Sequence, residues 1–555
     1  PAPPEIRAAL CDYPQPLQQL LFNRGITDPV SATDFLARKA PQGCDSFKMK
    51  GIPEAVERIG QSIQRGEPIA VYGDYDVDGV TATVLMVQVL RSLGAMASEY
   101  IPDRFNEGYG MNVDALDALK ARGVKLVISV DNGIRSNREA AHARELGLDL
   151  IITDHHHPLH DLPQAFAVID PKQEGDDYPD KNLSGVGVAY KLAQALFQVY
   201  PQEGVSPDEW LDLVALGTVA DIVPLIGENR YFVQRGLTLL RQTRRQGIYS
   251  LARAAGLDLP KVSSMDIGYA LGPRLNAAGR LESALAAYNL LMAEDVKTAG
   301  DLAIYLDNQN QERKRLTQEM ETHIQQLLET HQEDFPLIFV SDASFNKGVV
   351  GLAASHIAEA YHRPAFIAQT DGETTRGSAR SIPGFHITAA LDECQDLLIQ
   401  HGGHAQAAGF TVTNANLPLL QERLGMIAAR ELDAEKLLPS LTAEMEVDLS
   451  DLNKNFMDAL DQLQPTGEGN PEPLLLVRDV RPLYPKMVGK DGKHLKFRVT
   501  DGWYSCDAIA WRQGHRLVEM NGRVDLMFTF ELNQFNGQVN FQLNVKDIQP
   551  AATPL

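Results

Sequence analysis

Pro68-Ile-Ala-Val-Tyr72, followed by Gly73-Asp74-Tyr75-Asp76-Val77-Asp78-Gly79, is an apolar run that stops abruptly in alternating acids. Apolar residues at helical spacing come next (Val80, Val84, Val87, Leu90), so the stretch reads as strand, turn and helix. The pattern repeats outward. Val124 to Val130 is a second strand, ending at Asp131-Asn132-Gly133, with a helix from Asn137 to Leu146. Leu148 to Thr153 is a third, running into Asp154-His155-His156-His157, and Ala165 to Ile169 is a fourth. Strands separated by helices imply parallel pairing through crossover connections. Open parallel sheets collect ligands in the crevice beyond the carboxyl ends of their strands. Three strand ends therefore carry acids and imidazoles to one edge of one sheet. A further acid, Asp221, ends the helix in Leu216-Gly-Thr-Val-Ala-Asp221.

Carboxylates converging in one crevice repel one another unless protonated or neutralised by cations. Oxygen ligands with some imidazole suit manganese or magnesium better than zinc. Two such ions about 3.5–4 Å apart can hold the entering and leaving oxygens of a phosphoester in line. In an extended segment, Asp-X-Asp-X-Asp turns its acids to one side. A calcium loop is the bland alternative, but its twelfth position, where a Glu is required, is Leu85. Asp131-Asn-Gly alone reads as a turn, and three histidines alone as a cap or surface run. Their placement after successive strands points to a binuclear metal site.

The chain has 555 residues, enough for three or four domains at roughly 150 residues each. With 44% hydrophobic and 22% charged residues it is neither disordered nor fibrous. No apolar stretch approaches the roughly 20 residues that cross a bilayer, and Pro1 to Arg7 has no secretory pattern. Four scattered cysteines suggest a reducing, cytoplasmic setting. The net charge of −22 argues against a general polyanion binder, although metal-holding carboxylates invert that sign locally.

Residues 1–48 read as a helical lead-in, and 49–295 as the α/β lobe just described. A polar helical stretch occupies 296–333; continuous from Val296 to His331, it would span about 54 Å, whereas a break near Asn308-Gln-Asn310 would make two helices. A second, smaller α/β lobe covers 334–430, with Leu337 to Val340 and Ala365 to Ala368 as strands and helices over Val350 to Tyr361 and Asp392 to Gln400. Residues 431–555 turn to short alternating strands after a helical lead-in, the signature of a small barrel or sandwich.

The order Asp74-Tyr-Asp-Val-Asp-Gly79, Ser129-Val-Asp-Asn-Gly133, Asp154-His-His156, Val219-Ala-Asp221, Gly272-Pro-Arg-Leu-Asn-Ala-Ala-Gly-Arg280 and Gly402-Gly-His-Ala-Gln-Ala-Ala-Gly409 resembles the DHH phosphoesterase superfamily over about residues 50–425. Within it, the chain is similar to bacterial single-strand-specific 5′→3′ DNA exonucleases. The resemblance implies a parallel-sheet DHH catalytic lobe, a DHHA1-type second lobe joined by a long helix, and a C-terminal OB-like barrel. It implies two divalent ions, Mn2+ or Mg2+, on Asp76, Asp78, Asp131, His155 and Asp221, with Asp131 bridging and Asp74 at the same site. In related pyrophosphatases a ligand His stands where this chain has Tyr72. His156 would touch the scissile phosphate, Asp154 would orient a neighbour, and His157 reads as structural. Arg104 and Tyr109 would face the substrate. Asn276, Arg280 and His404 fit a phosphate cradle, Ser378 and Arg380 would take the 5′ phosphate, and Arg274 could equally be a buried ion-pair partner. Phe345-Asn346 receives no catalytic role. Family-level partners are a single-strand-binding protein and a repair helicase; a monomer suffices to enclose the channel.

Arg481, Lys486, Lys490, Lys493, Lys496 and Arg498 stand against one acid, Asp491, with Tyr484, Phe497, Trp503, Tyr504 and Trp511 among or near them. Cationic tracking plus base stacking, roughly 1–3 kcal/mol per base, is how OB barrels hold single strands. A solvated basic hairpin over aromatic core residues is the competing reading. A phosphoesterase of small substrates, or an inactive repair scaffold, are the rival functions; the basic module counts against the first and the complete acid and histidine set against the second.

Overall fold

The computed structural model describes residues 1–37, 39–103, 107, 108, 110–330, 336–535 and 538–551. Strand β1 (Ile69–Tyr72) is buried along its whole length inside a parallel sheet, next to its edge. With β2 (Ala97–Tyr100), β3 (Leu126–Val130), β4 (Asp149–Thr153) and β5 (Ala167–Ile169), the order is β2-β1-β3-β4-β5. Helices cover both faces, so the inner strands read as unbroken apolar runs. Ala97-Ser-Glu-Tyr100 sits at the edge with half-exposed side chains, and so escapes an apolar-run criterion. The order reverses between β1 and β3, and their carboxyl ends part there to open a crevice.

Helix α1 (Val77–Ser92) lies in the core with almost every side chain buried. It begins earlier than its apolar periodicity suggests. Asp76 is its N-cap, accepting from Gly79 N–H at 3.1 Å, and Asp78 already sits in the first turn. The expectation of an extended Asp-X-Asp-X-Asp is therefore corrected: capping an otherwise orphaned amide favours the helix start over a strand. Beside α1 pack α2 (Gly185–Val199) and α3 (Leu211–Ala220), and α4 (Gly227–Leu240) packs on α3. Lys191 of α2 and Glu228 of α4 form a buried ion pair at 3.0 Å, Lys191 also donates to the Cys44 carbonyl, and the Tyr178 hydroxyl donates to Glu228.

Helix α5 (Gly272–Leu281) precedes the long α6 (Val296–Thr330), whose 35 residues span about 52 Å. No break occurs at Asn308–Asn310; Asn310 is buried and its side chain accepts from Arg313. Arg274 pairs with Asp307 of α6 at 2.8 Å, the ion-pair reading of that residue. The far half of α6 (Leu316, Met320, Ile324, Leu327) packs under the second lobe and its helix α7 (Val350–Tyr361). That lobe is a mixed sheet of β6 (Ile338–Asp342), β7 (Ala365–Asp371), β8 (Thr374–Arg380), β9 (Leu398–Gly403) and β10 (Ala407–Thr413), in the order β6-β7-β8-β10-β9. The expected helix at Asp392 to Gln400 is absent, because β9 pairs with β10 and takes Leu398 onward into the sheet; only Ile387–Asp392 and Gln395–Leu397 are helical.

The C-terminal module carries β11 (Met445–Glu446), helix α8 (Lys454–Asp461), β12 (Leu475–Val488), β13 (His494–Thr500), β14 (Ser505–Ala510), β15 (Val524–Phe535) and β16 (Gln538–Pro550). β12-β13-β14-β16-β15 closes back on β12 as a five-stranded barrel. The N-terminal helices join this module: Leu10, Leu17, Leu20 and Leu21 share its core, and Arg24 pairs with Glu444 at 2.7 Å. Among the described residues no helix is long and apolar enough to cross a membrane, and Cys11, Cys44, Cys394 and Cys506 are free.

Glu228→Ala strands the buried Lys191 cation. It is expected to destabilise the first lobe by about 3–5 kcal/mol, read as a fall in its melting transition; an unchanged transition contradicts the pair's role in holding α2 to α4.

Candidate metal centre and phosphate cleft

Asp131 follows β3 with a φ of 62°, a left-handed turn that Asp tolerates and that aims its carboxylate back over the sheet edge. Asp78, in the first turn of α1, accepts from the Gly185 and Val186 amides at 2.6 and 2.9 Å, the open N-terminus of α2. His155 follows β4 and Asp221 caps α3. From four elements they meet: His155 Nε2 lies 3.2 Å from Asp131 Oδ1, 3.5 Å from Asp221 Oδ2 and 4.0 Å from Asp78 Oδ2. Asp74, Asp76 and Asp131 form an adjoining group, as do Asp131, His155 and His156, each with ligand atoms within 4.8 Å.

Such approach is possible only beside glycine. A Cβ on Gly185 would stand 2.4 Å from Asp131 Oδ1, and one on Gly217 would stand 2.7 Å from Asp78 Oδ1. Asp154 organises the histidines: its Oδ1 accepts from the His155 and His156 amides and meets His156 Nδ1 at 2.7 Å, while Oδ2 accepts from Ile134 N–H. Lys172, two residues beyond Asp170 at the end of β5, donates to the His155 carbonyl. That fourth strand end was not counted in the sequence, though the strand-end rule that selected the other three reaches it. Tyr72 turns away from the acids; its hydroxyl donates to the Gly110 carbonyl and its ring stacks on Tyr100.

Burial first, then the carboxylates of Asp78, Asp76, Asp221 and Asp74, pushes the Asp131 carboxyl well above its ordinary range. Burial and Asp78 do the same to Asp221, and burial with Asp76 moves Asp78 up to about 7 against the pull of the α2 amides. Burial and the neighbouring His156 pull His155 down to about 3, leaving a neutral imidazole at pH 7, the form that binds metals. For Asp154, burial favours the acid form, but the bond with His156 wins and holds it at about 2. Asp131 Oδ1 and both ring nitrogens of His155 are buried without hydrogen bonds among the described residues. Oxygen donors with one imidazole fit hard divalent ions such as Mn2+ and Mg2+.

Next to this cluster, a cavity of about 230 Å³ opens between the lobes, lined by Asp76, Asn276 and Arg280 on one side and Lys347, Ser378 and Arg380 on the other. The lobes touch where Gly348 meets the Arg280 carbonyl, closer than any Cβ would permit. Asn276 spends its side-chain oxygen on the Val77 amide and so also fixes the Asp76 turn. Lys347 was not singled out from the sequence; it directly follows Phe345, which is buried, and Asn346, which closes a turn to Gly348. His404 belongs to another flank, its ring 6.4 Å from that of His157. His157 is exposed, with its carbonyl held by Arg135. Arg104 and Tyr109 lie outside the described residues.

On the barrel, Tyr484, Trp503, Tyr504 and Trp511 are exposed, Trp503 at 93%, whereas Phe497 is buried in the core. Phe497 alternates inward along β13 between Lys496 and Arg498. The aromatic surface is thus real but one member smaller than its sequence suggests.

Residues 68–218 match the DHH family N-terminal domain, 334–429 the DHHA1 domain and 443–547 the RecJ OB domain. The single-stranded-DNA-specific exonuclease RecJ of Salmonella typhimurium is 37% identical over 97% of this chain and 96% of its own. This chain belongs to the RecJ family. RecJ of Bacillus subtilis is 40% identical over 95% of this chain and 67% of its own length. A RecJ structure in complex with Mn2+ from Thermus thermophilus superposes with a TM-score of 0.84 at 30% identity, over 99% of this chain and 78% of that one. Another RecJ structure, bound to manganese, gives 0.60 at 34% identity over 69% of this chain and 96% of that one.

Without metal, between about pH 4 and 7 the folded chain retains protons on Asp78 and its neighbours that the unfolded chain has already released. Folded stability therefore falls as pH rises through that window, and cation binding displaces the protons. The rise in melting temperature on adding Mn2+ is expected to be larger at pH 8 than at pH 6; an equal rise at both contradicts a coupled acid cluster.

Proposed function

We propose that this RecJ-family chain is a metal-dependent exonuclease that degrades single-stranded DNA 5′→3′ to 5′-mononucleotides by two-metal-ion hydrolysis, in DNA recombination and repair. The observation that carries the reading is the convergence of Asp76, Asp78, Asp131, His155 and Asp221 beside a cleft lined with cations. These five would hold two ions, Mn2+ or Mg2+, with Asp74 adjoining. When bound, the ions neutralise the acids, lower the pKa of water and stabilise charge on the phosphoryl oxygens.

The chain's own groups do the rest. Burial disfavours the charged His156 imidazole, but its bond to Asp154 outweighs that and raises its pKa, which suits it to donate to the scissile phosphate. Arg280 and Asn276 would brace the same phosphate from α5, and His404, on the flank beside His157, would reach it from the second lobe. Ser378 and Arg380 lie across the cleft from Asp76 and suit a terminal 5′ phosphate, with Arg380 able to grip it through two parallel bonds. A terminal phosphate seated there fixes the direction of degradation. Arg104 and Tyr109 are assigned to the incoming strand by resemblance.

The division of labour we assign is a lead-in (1–48), a DHH catalytic domain (49–295), a connecting helix (296–333), a DHHA1-type domain (334–430) and an OB-like domain (431–555). Exposed Tyr484, Trp503, Tyr504 and Trp511, among Lys486, Lys490, Lys493 and Arg481, supply stacking faces and charge for a single strand. One chain supplies both walls of the cleft, so a monomer is sufficient. A single-strand-binding protein and a repair helicase are the protein partners, and free cysteines fit the cytoplasm.

Asp131→Ala is expected to lose measurable hydrolysis of 5′-labelled single strands with either ion; retained activity defeats the assignment. Trp503→Ala with Tyr484→Ala is expected to weaken binding of a 30-mer by about 1–3 kcal/mol per lost stack and to leave the KM for a dinucleotide unchanged. Equal losses on both lengths would remove the barrel from the track.

A further inference from the structure

Asp221 leaves α3 at its last turn, and the loop that follows, Ile222 to Ile226, is supported from the far end of the chain. Leu225 N–H donates to the Glu468 carbonyl at 2.7 Å. A Cβ on Gly467 would stand 2.7 Å from Leu225 Cδ1, and one on Gly469, whose φ is 68°, would stand 2.9 Å from Pro224 Cβ. The segment Pro465 to Asn470, between α8 and the barrel, thus lies against the Asp221 loop more closely than side chains would allow. It touches a second element of the site as well: Ser264 Oγ, in the stretch leading to α5, donates to the Thr466 carbonyl at 2.7 Å.

Arg230 of α4 anchors this segment. It is 3% exposed, and its Nη1 donates to the Leu463 and Pro465 carbonyls at 2.8 and 3.1 Å. Nη2 donates to Gln462 and Gln464 at 3.3 and 3.0 Å, and Nε to Phe35 at 3.0 Å, with the guanidinium 4.1 Å from the Phe35 ring centre. Among the described residues it has no carboxylate partner, so five peptide carbonyls carry its charge. Asn470 closes the segment on itself, donating to the Leu463 and Pro465 carbonyls at 2.8 Å, and its Oδ1 accepts from Arg24 of the N-terminal helices. A planar fork of five donors is what this arrangement of carbonyls requires; a lysine ammonium has three.

We propose that Pro465–Asn470, clamped by Arg230, is a positioning element for the metal ligand Asp221, so that the barrel module sets the geometry of the catalytic centre as well as the path of the strand. The inference rests on Asp221 as a metal ligand. A plain tether could attach anywhere on the lobe; this one presses on the loop that carries a ligand and on the stretch that leads to Asn276 and Arg280. Its consequence is that the module governs hydrolysis of substrates too short to reach the aromatic face.

The test uses the full chain and Mn2+ alone, with binding followed by electron paramagnetic resonance and calorimetry. Gly467→Val drives a side chain into buried Leu225, Arg230→Lys keeps the charge but cannot serve five carbonyls, and Ser264→Ala removes one hydrogen bond and is the mildest. Each is expected to weaken Mn2+ binding, the first two by about tenfold, in line with changes just outside a metal's ligand shell. Dinucleotide hydrolysis should fall in parallel at low Mn2+ and recover at high Mn2+. If Ser264→Ala and Arg230→Lys bind Mn2+ like the parent and slow only the 30-mer, the segment is a tether and the proposal is overturned. Asp221→Asn separates the two claims: unaltered Mn2+ binding there removes the ligand assignment itself, whereas a loss there with intact binding in the other variants removes only the coupling.

Discussion

Negative charge confined out of water is the constraint on which this molecule is built. Asp74, Asp78 and Asp131 are buried, and Asp76 and Asp221 crowd in beside them. Like charges so close in a low-dielectric crevice cannot all ionise without cations. The fold answers with devices that tolerate the cluster rather than dissolve it. The amides at the start of α2 take Asp78, His155 stays neutral, and Gly185 and Gly217 yield the space a methyl group would fill. The sheet's reversal of order between β1 and β3 provides the crevice itself.

A second consequence is the placement of positive charge. The chain carries −22 overall, yet Arg280, Lys347 and Arg380 gather at the interlobe cavity and Lys172 lies beneath His155. A polyanion repelled by the bulk surface thus meets a local well. The long α6 fixes the two walls of that well, since one half packs in the first lobe and the other under the second. The N-terminal helices and the barrel share one core, so the ends of the chain close the frame.

The acids were legible because strand ends in a parallel sheet point to one edge, a rule that needs only apolar runs and their punctuation. Edge and antiparallel strands were less so. β2 is half polar, and β8 and β10 are rich in Thr, Ala and Gly, whose identity as strands is set by pairing and not by hydrophobicity. The turn that carries Asp76 and Asp78 misled for a different reason: alternation signals an extended chain only where no cap competes, and Asp76 is a strong cap. Lys347 is a single surface-type residue until Gly348 docks on Arg280, so its place emerges only from the meeting of lobes. Phe497 and Trp503 differ only in which face of β13 or its turn they occupy, which composition cannot report.

The most direct measurement is diffraction at the manganese absorption edge from crystals grown with Mn2+ and a short 5′-phosphorylated strand. The expected result is two anomalous peaks among Asp76, Asp78, Asp131, His155 and Asp221, with the terminal phosphate between Ser378 and Arg380. Peaks absent from that cluster, or a strand seated with its 3′ end in the cavity, would contradict the account.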